Sequence, residues 1–212
     1  MARAMPRLGT HFTAGVARSL NLAAAGETAR SDSPPTSAAY RALSPTRLEA
    51  LYEMAYLRVF IEWETFLEET LWRVMCGYQL PIPQNLTRPP FPTLAAAEAE
   101  ILAGQPYVSW WAPRKVATRA GRYVHLGVHE AVLLSNAVRL EWFGSIRHRV
   151  AHGTDQSLVN FRSATLGLAG YRVINGSAGA FLRSWDTSSR PRQRWLNTLG
   201  NELCSLALSI AP

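Results

Sequence analysis

The chain has 212 residues, of which 48% are hydrophobic and seven are Trp, so it carries enough apolar material for one well-packed core. Its net charge is +7, and no apolar run reaches the roughly 18 residues that cross a membrane or forms the apolar centre of a secretory signal. We therefore expect a cytoplasmic protein with no membrane partner, in which Cys76 and Cys204, which show no CxxC or metal-ligand spacing, are reduced thiols.

Charge is unevenly distributed along the chain. Residues 51–104 carry three Arg and seven Glu, whereas residues 105–212 carry thirteen Arg or Lys against five Asp or Glu. A basic half of this kind suits a surface that handles phosphate groups.

The N-terminal segment shows no sustained apolar period. Residues 1–43 are rich in Ala, Ser, Arg and Thr and include Ser33-Pro34-Pro35, which predicts a flexible or loosely packed arm. A helix around Phe12–Leu22 is the alternative for this segment.

The first strong element is a long amphipathic helix that begins at Ser44-Pro45, with Ser as N-cap and Pro at the first helical position. Gly77 predicts its end. The apolar positions recur at helical spacing: Leu48, Tyr52, Ala55, Val59, Trp63, Phe66, Leu67, Leu71 and Val74.

The middle of the chain is punctuated by prolines. Five of them lie within residues 79–93, which predicts an irregular connection. A short helix is expected over Leu94–Leu102, then an aromatic turn over residues 107–113, and then a third helix over Val116–Tyr123.

A further helix is predicted from about His129 to His152, with Gly153 as its left-handed stop. Four glycines, short β-prone pieces and an Asn175-Gly176 turn signal predict a long loop or small hairpin over residues 154–188. A last helix follows Pro191. The fold class is therefore all-α. The predicted apolar stripe of the fourth helix is Ala131, Leu134, Val138, Trp142, Ile146 and Val150.

The candidate catalytic residues lie at the end of the fourth predicted helix. It reads Arg147-His148-Arg149-Val150-Ala151-His152-Gly153 and places a permanent cation beside two imidazoles. At about 100° per residue, His148 and His152 share one face, whereas Arg147 lies roughly 140° from His152. Two arrangements bring Arg147 and His152 together: local unwinding at Gly153, or a two-fold dimer in which two such helices meet.

These residues resemble the R-x4-6-H motif of the HEPN superfamily, an α-helical group rich in ribonucleases of toxin and defence systems. The resemblance implies a HEPN-like helical bundle over residues 44–212 with long N-terminal, motif and C-terminal helices. It also implies a homodimer through the motif helix, RNA as substrate and a cognate antitoxin or defence-system partner. Some toxins of the family carry a modifiable Tyr two residues after the His. Here that position is Thr154, so this mode of neutralisation is not expected.

The corresponding reaction needs no metal or other cofactor. His152 takes the proton from a ribose 2′-OH or gives one to the leaving 5′-oxygen, and Arg147 stabilises the charge on the phosphorane oxygens. His148, which follows the arginine where the family prefers a polar residue, orients Arg147 or contacts phosphate. The product is a 2′,3′-cyclic phosphate, and DNA is not a substrate.

Basic and aromatic residues outside this catalytic group are candidate RNA contacts: Arg149, Trp110, Arg114, Lys115, Arg192 and Arg194. The alternative for Trp110 and its neighbour Trp111 is a place in the core beside a solvated basic face. Trp195 raises the same question beside Arg192 and Arg194.

Three other interpretations compete with these. His125 and His129, four residues apart, have the spacing of metal ligands but no third partner, so ordinary, partly buried histidines are favoured. Glu62, Glu64, Glu68 and Glu69 with Arg58 and Arg73 indicate a charged helix surface rather than paired catalytic carboxylates. Arg147 and His152 themselves fit either a solvated helix end or a non-catalytic module that binds RNA or protein as a regulatory or scaffold partner.

Overall fold

The computed structural model describes residues 3–174 and 176–212. Within these residues the chain forms ten helices and six strands of two residues each, so the all-α class predicted from sequence is confirmed. None of the described helices combines the length and the apolarity that a membrane span requires.

The N-terminal segment is helical rather than a loose arm. After the short strand β1 (Arg3–Ala4), helix α1 runs over Leu8–Ser31 and α2 over Ala38–Ala42. Phe12, Val16 and Ala23 are each at most 4% exposed. The alternative helix around Phe12–Leu22 is therefore the correct one, and the predicted arm is wrong for most of its length. Alanine-rich sequence favours helix even where the apolar face is narrow.

Helix α3 (Pro45–Met75) confirms the first strong prediction. The Ser44 hydroxyl accepts a hydrogen bond from the Arg47 N–H at 3.4 Å, as an N-cap does. All nine apolar residues of the predicted stripe are buried. Gly77, at φ +80°, follows the helix end and adopts the left-handed conformation that glycine tolerates.

The proline-rich connection holds two short strands, β2 (Tyr78–Gln79) and β3 (Asn85–Leu86). Helix α4 (Leu94–Leu102) has the predicted bounds, with Thr93 as its N-cap. Helix α5 (Pro113–Gly121) begins three residues before the predicted start, because Pro113 serves as its first residue. Strand β4 (Val124–His125) pairs antiparallel with β3, and β1 pairs parallel with β2.

The single helix predicted over residues 129–152 is two helices, α6 (Val128–Ser135) and α7 (Ala137–Ala151). Asn136 separates them: its side-chain amide donates to the Val132 carbonyl at 2.8 Å, and its own carbonyl accepts from the Leu140 N–H. The predicted continuous stripe is wrong at Ala131, Leu134 and Val138, which are all exposed, the last two at 45% and 51%. The buried residues on these two helices are Val128, His129, Leu133, Ala137, Leu140, Phe143 and Ile146.

The region predicted as a loop or hairpin is mostly helical. Helix α8 covers Asp155–Ala169 and α9 covers Ala178–Arg183. The buried face of α8 consists of Ser157, Phe161, Ala164 and Thr165, so two of its four positions are polar and the helical period is hidden in the sequence. The predicted Asn175-Gly176 turn includes Asn175, which lies outside the described residues.

The chain ends with strands β5 (Trp185–Asp186) and β6 (Gln193–Arg194), which pair antiparallel, and helix α10 (Trp195–Ile210). The last helix predicted after Pro191 is thus confirmed and begins four residues after it.

The elements group into two compact units. The first combines the chain up to Thr13 with Trp63–Glu141 and Cys204–Pro212. Its core includes the rings of Phe12, Trp63 and Phe66, whose centroids lie 5.6 to 5.8 Å apart.

The second unit combines Ala14–Glu62 with Trp142–Leu203 and contains the end of α7. Here the buried Tyr56 hydroxyl of α3 donates to the Phe143 carbonyl of α7 at 3.0 Å. Phe181 lies between Phe161 and Trp195, with ring centroids 6.1 and 5.1 Å away. These contacts hold the C-terminal part of α7, from which the motif side chains project, in the second unit.

Candidate functional site

The three motif side chains leave the last turns of α7 in different directions. Around the helix Arg147 lies on the same side as the buried Leu140 and Phe143, and it is only partly exposed. His152 is exposed. His148, about 100° from Arg147, lies between the two in angle, so one protomer does not bring Arg147 and His152 together by helical geometry alone.

The two histidines form a close pair. Their ring centroids are 4.6 Å apart with an interplanar angle of 55°, as the predicted shared face requires. Partial burial, the His152 ring and the Arg147 charge, in that order, lower the pKa of His148 below its ordinary value of 6.5. The neutral form of His148 is therefore favoured near neutral pH, and its ring can accept a hydrogen bond or a proton.

The helix end is not unwound. The His152 N–H still donates to the His148 carbonyl at 2.9 Å, so α-helical hydrogen bonding continues through the motif. Gly153 does not adopt the left-handed φ predicted for it. The next helix starts instead at once: the Thr154 hydroxyl accepts from the Ser157 N–H at 3.2 Å and caps α8. Of the two arrangements that bring Arg147 to His152, local unwinding is absent.

Ser157 and Arg149 hold this tight turn. The Ser157 hydroxyl is 2.6 Å from the His152 carbonyl and 2.7 Å from the Thr154 carbonyl. The Arg149 guanidinium donates to the Thr154 carbonyl at 3.4 Å and to the Ser157 hydroxyl at 3.3 Å. Arg149, predicted as an RNA contact, thus supports the segment that follows His152.

A second basic cluster lies along α5. A groove of about 360 Å³ is lined by Arg114, Lys115, Thr118, Arg119 and Arg122. Arg114 donates to the Glu141 carboxylate at 2.9 Å in an exposed ion pair. The predicted contacts Arg114 and Lys115 therefore lie together, and Arg119 and Arg122 join them on the same side.

Trp110 is not available as a stacking platform for RNA. It is 2% exposed, its indole N–H donates to the Glu68 carboxylate at 2.9 Å, and the Arg119 guanidinium covers the ring at 4.8 Å. A large aromatic ring beside an apolar helix gains more from burial than from exposure. The predicted role of Trp110 is wrong, and the alternative place in the core is correct.

Arg194 binds other groups of the protein. Its guanidinium donates to the Arg183 carbonyl and lies 3.6 Å from the Glu27 carboxylate, which Arg183 also binds through two nitrogens at 2.6 and 3.1 Å. This guanidinium balances a half-buried carboxylate, and the RNA contact predicted at Arg194 stays a prediction. The Arg192 guanidinium is exposed and lies 5.0 Å from the Trp185 ring centroid.

Sequence reasoning missed the cluster around Glu27. Burial alone raises the pKa of Glu27, but the hydrogen bonds and charges of Arg183 and Arg194 outweigh it and lower the pKa. Burial beside Glu27 raises the pKa of Tyr52 to about 12. Glu27 and Arg183 are separated by more than 150 residues, so no local pattern could have revealed their pairing. The aromatic ring beside Arg192 and Arg194 is Trp185. Trp195 is instead buried.

His125 and His129 do not form a metal pair. His125 lies on β4 and is exposed, whereas His129 lies on α6, 1% exposed, with its Nε2 2.8 Å from the Thr70 hydroxyl. Burial lowers the pKa of His129 to about 4. In the part of the chain that the structure describes, no three His, Cys, Asp or Glu side chains are grouped as a metal site.

The acidic residues of α3 mostly form the charged surface that sequence predicts. Glu62 pairs with Arg58 at 3.7 Å and Glu69 with Arg73 at 3.3 Å, both at helical spacing. Glu68 differs, because burial raises its pKa while its carboxylate accepts the Trp110 hydrogen bond.

No family model matches the chain. No curated protein and no solved structure matches it either. The function is therefore inferred from the site itself.

Proposed function

We propose that the protein is a metal-independent endoribonuclease of a toxin–antitoxin or antiphage system, with a HEPN-like helical domain. The observation that carries the proposal is the histidine pair at the exposed end of α7, with the Arg147 charge close enough to lower the pKa of His148. Two imidazoles beside a fixed cation are suited to general acid–base chemistry on a phosphodiester.

The reaction follows from these groups. His152 accepts the proton of a ribose 2′-OH, whose oxygen attacks the adjacent phosphorus. The bond from phosphorus to the 5′-oxygen then breaks, and the His152 imidazolium formed in the first step gives its proton to that oxygen. A 2′,3′-cyclic phosphate and a 5′-OH are left. Arg147 stabilises the phosphorane oxygens with its planar guanidinium, and neutral His148 orients Arg147 or contacts phosphate.

The close spacing of the rings supports this division of work. With ring centroids 4.6 Å apart, both imidazoles can reach the same phosphodiester group. The His152 ring is also one cause of the lowered pKa of His148.

A two-fold dimer completes the site in the proposal. His148 and Ala151 lie between Arg147 and His152 in angle around α7, and both are at least partly exposed. In a two-fold contact this side of the helix end meets its own copy, so the His152 of one protomer can approach the Arg147 of the other. An antitoxin or defence-system partner would then act on this shared cleft.

The test is cleavage of a single-stranded RNA by the purified protein. Arg147→Ala and His152→Ala should each lower the rate by at least about a hundredfold, as loss of an acid–base or charge-stabilising group does. EDTA should have no effect, and a 2′-deoxy substrate should remain intact. His11→Ala, at an exposed histidine of α1, is the matched control and should cleave normally.

Full activity in both variants, or loss of activity on chelation, would contradict the proposal. Binding of RNA by the wild type with no cleavage would assign the chain instead to the class of non-catalytic RNA-binding modules.

A further inference from the structure

One side of α5 concentrates positive charge. Lys115, Arg119 and Arg122 follow Arg114 by one, five and eight residues, which places the four cations on neighbouring rows of the helix surface. They extend over about 12 Å of helix axis. The groove that they line with Thr118 has a volume of about 360 Å³ and is open to solvent along its length.

Protein groups neutralise only part of this positive charge. Glu141 pairs with Arg114. Among the described residues, the side chains of Lys115 and Arg122 make no hydrogen bond or ion pair. Burial first, and then the charge of Arg122, lower the pKa of the Arg119 guanidinium. Its hydrogen bond goes to the neutral Ser109 carbonyl at 3.2 Å. The groove therefore holds repelling cations that an anion would stabilise.

The helix end adds to this imbalance. Ala112 precedes α5 and offers no side-chain cap, and the first turn contains Arg114 and Lys115 but no acidic residue. Cations at a helix N-terminus are unfavourable, since the backbone N–H groups there already carry partial positive charge. An anion in the groove would offset both effects.

We propose that this groove binds the phosphodiester backbone of single-stranded RNA, at two or more successive phosphates. The choice of RNA rests on the function proposed above. The 12 Å extent of the cations exceeds what one phosphate group covers. Binding is assigned to phosphates because the side chains that line the groove are four cations and the Thr118 hydroxyl, with no aromatic ring among them. The site therefore contributes affinity without sequence preference.

The experiment measures binding of a fluorescently labelled single-stranded RNA to the His152→Ala protein, which separates binding from cleavage. In that background Lys115→Gln with Arg122→Gln should weaken binding roughly tenfold at 0.1 M salt. The slope of log affinity against log salt should become shallower by about 1.4, or about 0.7 for each lost phosphate contact.

Arg41→Gln with Arg172→Gln removes the same charge at two exposed arginines and serves as the control. These substitutions should leave both affinity and slope nearly unchanged. Circular dichroism and thermal melting should show all variants folded, because the replaced side chains are exposed.

Three results would each overturn the assignment of this groove. They are RNA binding by the Lys115/Arg122 variant as tight as that of its parent, equal weakening in the control variant, and no RNA binding by the His152→Ala parent. Binding of vesicles rich in anionic lipid would overturn it as well, if that binding depends on Lys115 and Arg122 while RNA binding does not. Cleavage by the wild type is measured separately, so the ribonuclease proposal stands or falls independently of these results.

Discussion

His129 shows how burial sets the chemistry of a single residue. The ring is 1% exposed, and its only described polar partner is the Thr70 hydroxyl, which itself lies 2.7 Å from the Phe66 carbonyl. An imidazolium there would have no carboxylate to balance it, and its pKa is accordingly about 4. The residue is a hydrogen-bonded part of the core, and a sequence alone cannot distinguish such a histidine from an accessible one such as His125.

This burial predicts a pH-dependent stability. The unfolded chain binds a proton at His129 near pH 6.5 and the folded chain only near pH 4, so the free energy of unfolding should decrease as pH falls from about 6.5 to 4. The loss amounts to roughly 3 kcal/mol over that window. Urea denaturation of wild type and His129→Gln at several pH values measures it.

In His129→Gln this part of the pH dependence should disappear, whereas His125→Gln, at the exposed position, should retain it. An unchanged pH dependence in His129→Gln would show that other groups cause the loss.

His148 gives the second prediction at this scale. Because the Arg147 charge is one cause of its lowered pKa, Arg147→Gln should raise the pKa of His148 toward the ordinary value. The imidazole proton resonances in an NMR titration measure this, with His148→Asn used for assignment.

Arg149→Gln serves as the comparison, since the Arg149 charge is not a cause of the shift and its guanidinium binds Thr154 and Ser157. A pKa of His148 that responds to Arg149 and not to Arg147 would mean that the charge arrangement at the end of α7 is misassigned.

How well a helix could be predicted depends on how regularly its apolar residues recur at the helical period. In α3 all nine stripe positions are apolar and buried, and Ser44, Pro45 and Gly77 mark its ends, so the helix could be read from the sequence. In α6 and α7 the helical period is interrupted at Asn136. The prediction of one continuous apolar stripe did not include this break. In α8 the buried face includes Ser157 and Thr165. Their hydrogen-bond partners, the His152 carbonyl and the Val173 N–H, lie outside this helix. The burial of such polar residues depends on their hydrogen-bond partners, which the apolar periodicity does not show.

Gly153 lies between α7 and α8, whereas Gly170 follows α8, and we expect the two glycines to differ in how well they tolerate alanine. Gly153 and Gly170 both have open space where a Cβ would be placed, but only Gly170 has a positive φ, of +77°. Gly170→Ala should therefore lower the free energy of unfolding by about 1 kcal/mol, whereas Gly153→Ala should change it by less than about 0.5 kcal/mol.

Chemical denaturation of the two single variants gives both values. A cost at Gly153 equal to that at Gly170 would indicate that α7 ends in a left-handed residue, as the sequence had suggested, and not in the Thr154 cap.

For the whole molecule, the sequence identifies the chemical groups of the candidate site but not the surfaces around them. Arg147, His148 and His152 are read directly from the motif, and their angular order follows from the helix alone. The α5 groove depends on Arg119 and Arg122 joining Arg114 and Lys115, which the sequence only suggests. The ion pair of Arg194 depends on Glu27, far away in the chain. Long-range pairing of charges is therefore the part that sequence reasoning could not supply.

The central proposal concerns the assembled protein, in which an Arg and a His from two protomers form one ribonuclease site. Mixing separately inactive Arg147→Ala and His152→Ala proteins under conditions of subunit exchange tests it most directly. Random exchange makes about half of the dimers mixed. Each mixed dimer has one intact Arg147 and one intact His152, on opposite protomers. We expect RNA cleavage to reappear in the mixture and not in either variant alone. An active wild type whose two variants remain inactive after demonstrated exchange would contradict it.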